Sequence, residues 1–212
     1  MKISIACRTV LVAACALAAL APSQAFAAQA PGCPKKNIAY LDAQNREEDA
    51  GAKVTAAQQA YDQAKSDRAK FEQTAKAGDD LLGAFMDMRT GSGYAGVKPV
   101  AAELKKLLDA TGKYDRAATA DAARAEADAA QKAIDAMTDN DKGNDFAQVE
   151  QAKYLIKELR SKAEAARAAT TAPDVEKRKS ELDTAVSEKK DADNAVRPAR
   201  DAYRECLAKA NG

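Results

Sequence analysis

Residues 37–77 read NIAYLDAQNREEDAGAKVTAAQQAYDQAKSDRAKFEQTAKA, and their spacing decides the fold. Steps of three and four residues pick out Tyr40, Ala43, Glu47, Ala50, Val54, Ala57, Tyr61, Ala64, Arg68, Phe71 and Ala75. That stepping holds side chains on one helix face, and alanine recurs at one of the two inner positions, as in closely packed helix pairs. Residues 173–210 repeat the pattern with Val175, Arg178, Leu182, Ala185, Lys189, Ala192, Val196, Ala199, Tyr203 and Cys206. Strand-like runs of β-branched and aromatic residues are absent, so the expected fold class is all-α.

The two stripes acquire a direction from the cysteines. The chain opens MKISIACRTVLVAACALAALAPSQAFAAQA, with Lys2 and Arg8 before an apolar run and Ala25-Phe26-Ala27 as a small-residue cleavage site. This is the pattern of a secretory signal peptide over residues 1–27, which predicts an exported, periplasmic bacterial protein. Val12-Ala13-Ala14-Cys15 also matches a lipoprotein box that would leave Cys15 acylated; the apolar run continuing past Cys15 favours cleavage near Ala27. Downstream of the signal only Cys33 and Cys206 remain. In an oxidising compartment an even pair reads as one disulfide. A Cys33–Cys206 bond makes the long helices antiparallel, so Tyr40 should face Ala199, Ala43 Val196, Val54 Ala185, Ala57 Leu182 and Ala64 Val175. Each larger side chain then meets an alanine, as a dense interior requires. The same register predicts a Glu47–Lys189 ion pair, Arg178 stacked on Tyr61, and a kink at Pro198.

The middle of the chain reads as a helical head. Ala120, Ala123, Ala127, Ala130, Ile134 and Met137 form one stripe; Val149, Ala152, Ile156, Leu159, Ala163 and Ala166 form another. Run antiparallel, they set Ile134 against Ala152, Ala130 against Ile156 and Ala127 against Leu159. The expected organisation is a first arm over 28–78, a head over 79–170 and a second arm over 173–210. The head comprises short helices at 79–111 and a hairpin at 117–169. Thr170-Thr171-Ala172-Pro173 breaks the chain before the last helix. Between 79 and 108 lie the most apolar residues downstream of the signal. Leu81, Leu82, Phe85, Met86, Met88 and Leu104 are candidates either for a local core or for a surface that receives a partner.

Two motifs invite a chemical reading. Gly91, Gly93 and Gly96 spell G-x-G-x-x-G within TGSGYAGVKP. A dinucleotide loop needs a strand before it and a helix after it, and here a helical segment precedes. The glycines therefore read as a helix stop and flexible corner, with Pro99 opening the next helix. Residues 139–150 place Asp139, Asp141, Asp145 and Glu150 at spacings resembling an EF-hand loop. Gly143 and Asn144 stand where that loop needs a ligand and then glycine. A polar turn capped by Asp145 is the plainer reading, with weak calcium binding as the alternative and no metal assigned.

Composition narrows the function classes. Removing the signal leaves 31 of the 33 basic side chains against 32 acidic ones, an even balance that argues against nucleic acid or anionic lipid as partner. The chain has no histidine, the commonest general base, so no catalytic residue and no cofactor are assigned. The expected role is an envelope structural or interaction protein that presents its head to another envelope protein. A periplasmic chaperone or binding protein for apolar clients is the alternative. Alanine-rich faces also allow a homodimer.

Overall fold

The computed structural model describes residues 33–169 and 174–210. The segment expected as a signal peptide, Cys15 and the break expected at 170–173 lie outside the described residues. All regular structure among the described residues is helical, and none of these helices is long and apolar enough to cross a membrane. Helix α1 spans Pro34–Met86, 53 residues, and α7 spans Val175–Ala210, 36 residues. At 1.5 Å per residue they measure about 80 and 54 Å. Pro34 starts α1, where its fixed φ and missing N–H cost nothing.

Cys33 and Cys206 are joined by a disulfide with Cα atoms 6.1 Å apart. From there α1 and α7 run antiparallel: Tyr40 stacks on Tyr203 at 6.2 Å, Lys53 pairs with Glu188 at 3.0 Å, and Arg68 pairs with Glu176 at 3.0 Å. The stripe residues are the covered ones. Ala43, Ala50, Ala64 and Ala185 are buried; Tyr40, Val54, Ala57, Leu182, Val196 and Tyr203 are half-buried. Two helices alone cover each other sparsely, and Ala185, 8 % exposed, is the sole buried residue of α7.

Several individual contacts differ from expectation. Tyr40 meets Tyr203, one turn beyond Ala199, and Lys53 reaches Glu188. Helical side chains lean toward their own N-terminus. In an antiparallel pair both partners therefore lean so as to meet residues later in α7 than the one directly opposite. Lys189 bonds Asp193 at 2.8 Å within α7; Glu47 acts on it only as a lesser, longer-range charge. The cation on Tyr61 is Lys65, 5.3 Å from the ring centre, while Arg178 pairs with Glu181. Local partners win because helix neighbours are held close at little further entropic cost. Helix α7 continues through Pro198.

The head is a bundle that α1 itself enters. Beyond Arg68, α1 packs with α3 (Val97–Gly112), α4 (Arg116–Ala136) and α6 (Phe146–Arg167). Ala120, Ala123, Ala127 and Ala130 of α4 have no exposed surface, so its neighbours approach closely. Ile134, Ala152, Ile156 and Leu159 fill the same core, and Arg124–Glu164 and Arg160–Asp128 ion pairs flank the antiparallel α4–α6 pair. Thr74 donates its hydroxyl to Lys70 O at 2.7 Å and to Lys162 O at 3.2 Å, where α1 and α6 come together. Tyr114, in the turn from α3 to α4, takes a left-handed φ of 52°. A non-glycine residue there costs roughly 1–2 kcal/mol. Its ring sits edge-on to Phe71 at 5.5 Å, a contact that offsets part of the strain.

The expected boundary at 78/79 is not a break. Helix α1 runs straight through Gly78-Asp79-Asp80. Glycine is present there for space: a Cβ on Gly78 would lie 2.6 Å from Glu126 Oε2 and 2.8 Å from Leu107 Cδ2. The segment expected as short helices at 79–111 is thus the end of α1, the brief α2 (Gly91–Tyr94) and α3.

Candidate functional site

The end of the bundle farthest from the disulfide is assembled around one carboxylate. Helix α1 stops at Met86, and the chain turns through Asp87–Thr90 into α2, capped by Thr90 Oγ1, which accepts from Gly93 N at 3.2 Å. Facing this turn, α5 (Asp139–Asn144) is capped by Thr138 and leads directly into α6. Asp145 stands between them with 1 % of its surface exposed. It accepts hydrogen bonds from the Arg89 amide at 2.9 Å, the Thr90 amide at 3.1 Å and the Thr90 hydroxyl at 2.5 Å. Ser92 donates to Asp141 alongside. By position Asp145 precedes α6, yet its side chain makes no capping bond there. It ties two distant stretches of chain together instead.

Burial alone would raise the Asp145 carboxyl, but the bonds from Thr90 and the two amides, with the charge of Arg89, outweigh it and hold the group below its usual value of 3.8. A depressed carboxyl stabilises the fold above its unfolded value and loses that contribution as pH falls through the lower, folded one. Asp145→Ala strands two amides and a hydroxyl and is expected to cost about 2 kcal/mol. Urea unfolding at pH 7 would measure it, and the variant's stability should fall less than the wild type's below pH 4.

This arrangement decides both motifs. The G-x-G-x-x-G stretch is packing rather than a flexible corner. A Cβ on Gly93 would meet Asp145 Oδ2 at 2.8 Å, and one on Gly96 would meet the Phe85 ring at 2.6 Å and Ala133 Cβ at 2.8 Å. The EF-hand-like spacing forms a short helix, not a ligand loop. Its carboxylates are engaged elsewhere, Asp141 by Ser92, Asp145 by the Arg89–Thr90 turn and Glu150 by Lys153. No group of three or more His, Cys, Asp or Glu residues among the described residues has a geometry that would hold a metal.

The candidate partner-binding residues separate into core and surface. Leu81 and Phe85 are 0 % exposed, Met88 4 % and Leu104 5 %, and Leu82 packs against the same cluster. They do come together, as the interior of the bundle with Leu82 half-buried at its edge. Met86 differs, at 60 % exposed. Helical geometry separates it from Phe85 by about 100°, which turns one inward and the other out. Near it in the chain or across the Asp145 ties stand Tyr94 at 61 % and Phe146 at 65 %. A shallow groove of 570 Å³ runs beside α2 and between α3 and α4, lined by Ala95, Pro99, Glu103, Ala129, Lys132 and Ala133 among others. Sequence reasoning missed Asp145 as a tie and Tyr94 and Phe146 as exposed rings, because solitary aromatics carry no periodic signal.

No protein-family model, curated protein or solved structure matches the chain.

Proposed function

We propose that the chain is an exported structural component of the bacterial envelope whose long helical arm carries a bundle that contacts a partner protein through its far end. The observation that carries this reading is the continuity of α1. One helix runs from the disulfide, along α7 and into the bundle, so base and head are linked without a hinge. The arm is a coiled-coil-like hairpin in this reading, and its half-covered alanine seam supplies length rather than a ligand cavity. The disulfide and the signal-like leader support export to the periplasm. Exposed Met86, Tyr94 and Phe146 around the Asp145 junction supply the contact surface, as solvent-facing aromatics and methionine do at protein interfaces.

A photo-crosslinking residue introduced at Tyr94 or Phe146 in cells tests this. A discrete protein adduct is expected at the tip positions and not at Lys179 on the arm. Triple replacement of Met86, Tyr94 and Phe146 by serine should abolish the adduct formed from a crosslinker placed at Gly91. Each exposed change should move folding stability by about 0.5 kcal/mol or less. Equal adducts at arm and tip, or none at all, would remove the tip as the contact surface.

The groove between α3 and α4 favours a second reading, a binding protein for apolar ligands or clients. Dye binding competed by such ligands, and blocked by Ala129→Trp, would support it; unchanged binding in that variant would exclude the groove.

A further inference from the structure

Glu126 lies in α4 with none of its surface exposed, and neither carboxyl oxygen has a hydrogen-bond partner. The Cα of Gly78 on α1 is so close that a Cβ there would fall 2.6 Å from Oε2, and Leu104 and Leu107 of α3 border the same space. Among the described residues, the charges acting on it are Asp79 from α1 and Glu103 from α3, both acidic. Glu103 already engages Lys106 at 2.8 Å. An ionised carboxylate in such a place would lack water, a donor and a counter-charge, which an apolar interior does not tolerate. A neutral acid keeps the shape and drops the charge.

We propose that Glu126 is a proton lock at the joint of α1, α3 and α4: protonated, it lets the three helices close, and its ionisation loosens that joint. The location gives the lock a consequence. Helix α1 links arm to bundle, and at Gly78 it comes within van der Waals reach of side chains from both α3 and α4. Loosening there would free the part of α1 that carries Leu81 and Phe85, which otherwise belong to the core.

Burial first, and then the two acidic neighbours, raise the group from 4.5 to about 8. A folded state that holds its proton more tightly than the unfolded chain is stabilised fully below the unfolded value. It loses that advantage as pH rises toward the folded one. The affected window is therefore about pH 4.5 to 8. Across it the unfolding constant of the wild type should rise by up to about tenfold per pH unit, and Glu126→Gln should remove most of that slope.

Two measurements test the lock. Urea unfolding from pH 4.5 to 9 should show the slope in the wild type and a flatter profile in Glu126→Gln, with the two proteins diverging most at the alkaline end. Should the variant fail to fold, carboxyl carbon-13 NMR of the wild type decides alone. One glutamate titrating near pH 8 supports the lock, whereas all glutamates titrating below pH 6 overturn it. Equal slopes in both proteins would overturn it as well. Hydrogen exchange above pH 8 should quicken in residues 74–86, 100–110 and 119–130 before it quickens in α6.

Discussion

Reducing the Cys33–Cys206 bond is expected to release α7 from α1 while leaving the bundle folded. Helix α7 buries only one alanine, and its cross-arm ion pairs, Lys53–Glu188 and Arg68–Glu176, are largely exposed. Exposed pairs contribute about 1 kcal/mol or less each. The bond closes a loop across a separation of 173 residues, worth about 5 kcal/mol on a chain-entropy model. Nothing else along the seam approaches that figure. In hydrogen exchange, α7 and residues 34–66 should therefore lose protection on the order of a thousand-fold on reduction, or in Cys33→Ser. Amides of α4 and α6 should change little, because their core does not include α7. Helical circular dichroism should fall in the same step. Protection of α7 that survived reduction would mean that the alanine seam holds the arm together by itself.

The second large effect concerns two adjacent residues. Phe85→Ala is expected to destabilise the protein by about 3–5 kcal/mol, because its ring is wholly enclosed and a cavity would replace it. For a chain of this size that lowers the midpoint of thermal unfolding by about 6–20 °C. Met86→Ser, one position on, should shift it by a degree or two, since the side chain is mostly in solvent. Calorimetry on the two variants separates core from contact surface. A partner lost only in Met86→Ser would belong to the tip; one lost only in Phe85→Ala would be responding to unfolding. Similar destabilisation by both changes would show that Met86 has a packing role the static fold does not reveal.

The two experiments address different parts of the same helix. Along its first half α1 has one neighbour and relies on a covalent bond. Beyond Arg68 it has three neighbours and a filled interior. A single uninterrupted helix therefore passes from a weakly covered region into a well-packed one, and mechanical continuity rather than buried area joins them.

Much of this was legible in the residues themselves. The recurrence of alanine at every seventh position between Tyr40 and Phe71, and again in the last helix, already demanded two long helices facing each other. Two cysteines beyond the segment expected as a leader, one at each end of that pattern, pointed to antiparallel closure. These are properties of spacing, and spacing is written in the chain. What spacing could not decide was which neighbour each side chain would choose. Lys189 took Asp193 on its own helix over Glu47 across the seam, because a local partner needs no second helix to be held in register. Gly78 sits at the expected boundary between arm and head and is instead a contact, because only the approach of Glu126 and Leu107 makes a missing side chain worth its cost within a helix. Glu126 itself sits beside Ala127 in a stripe that seemed to bury one face of α4; packing against α3 as well as α6 widened that face and drew the acid inside. Leu81, Phe85 and Leu104 were recognisable as apolar, but whether they faced a partner or one another depended on the fourth wall of the bundle. That wall is supplied by α1, and only the folded chain brings it there.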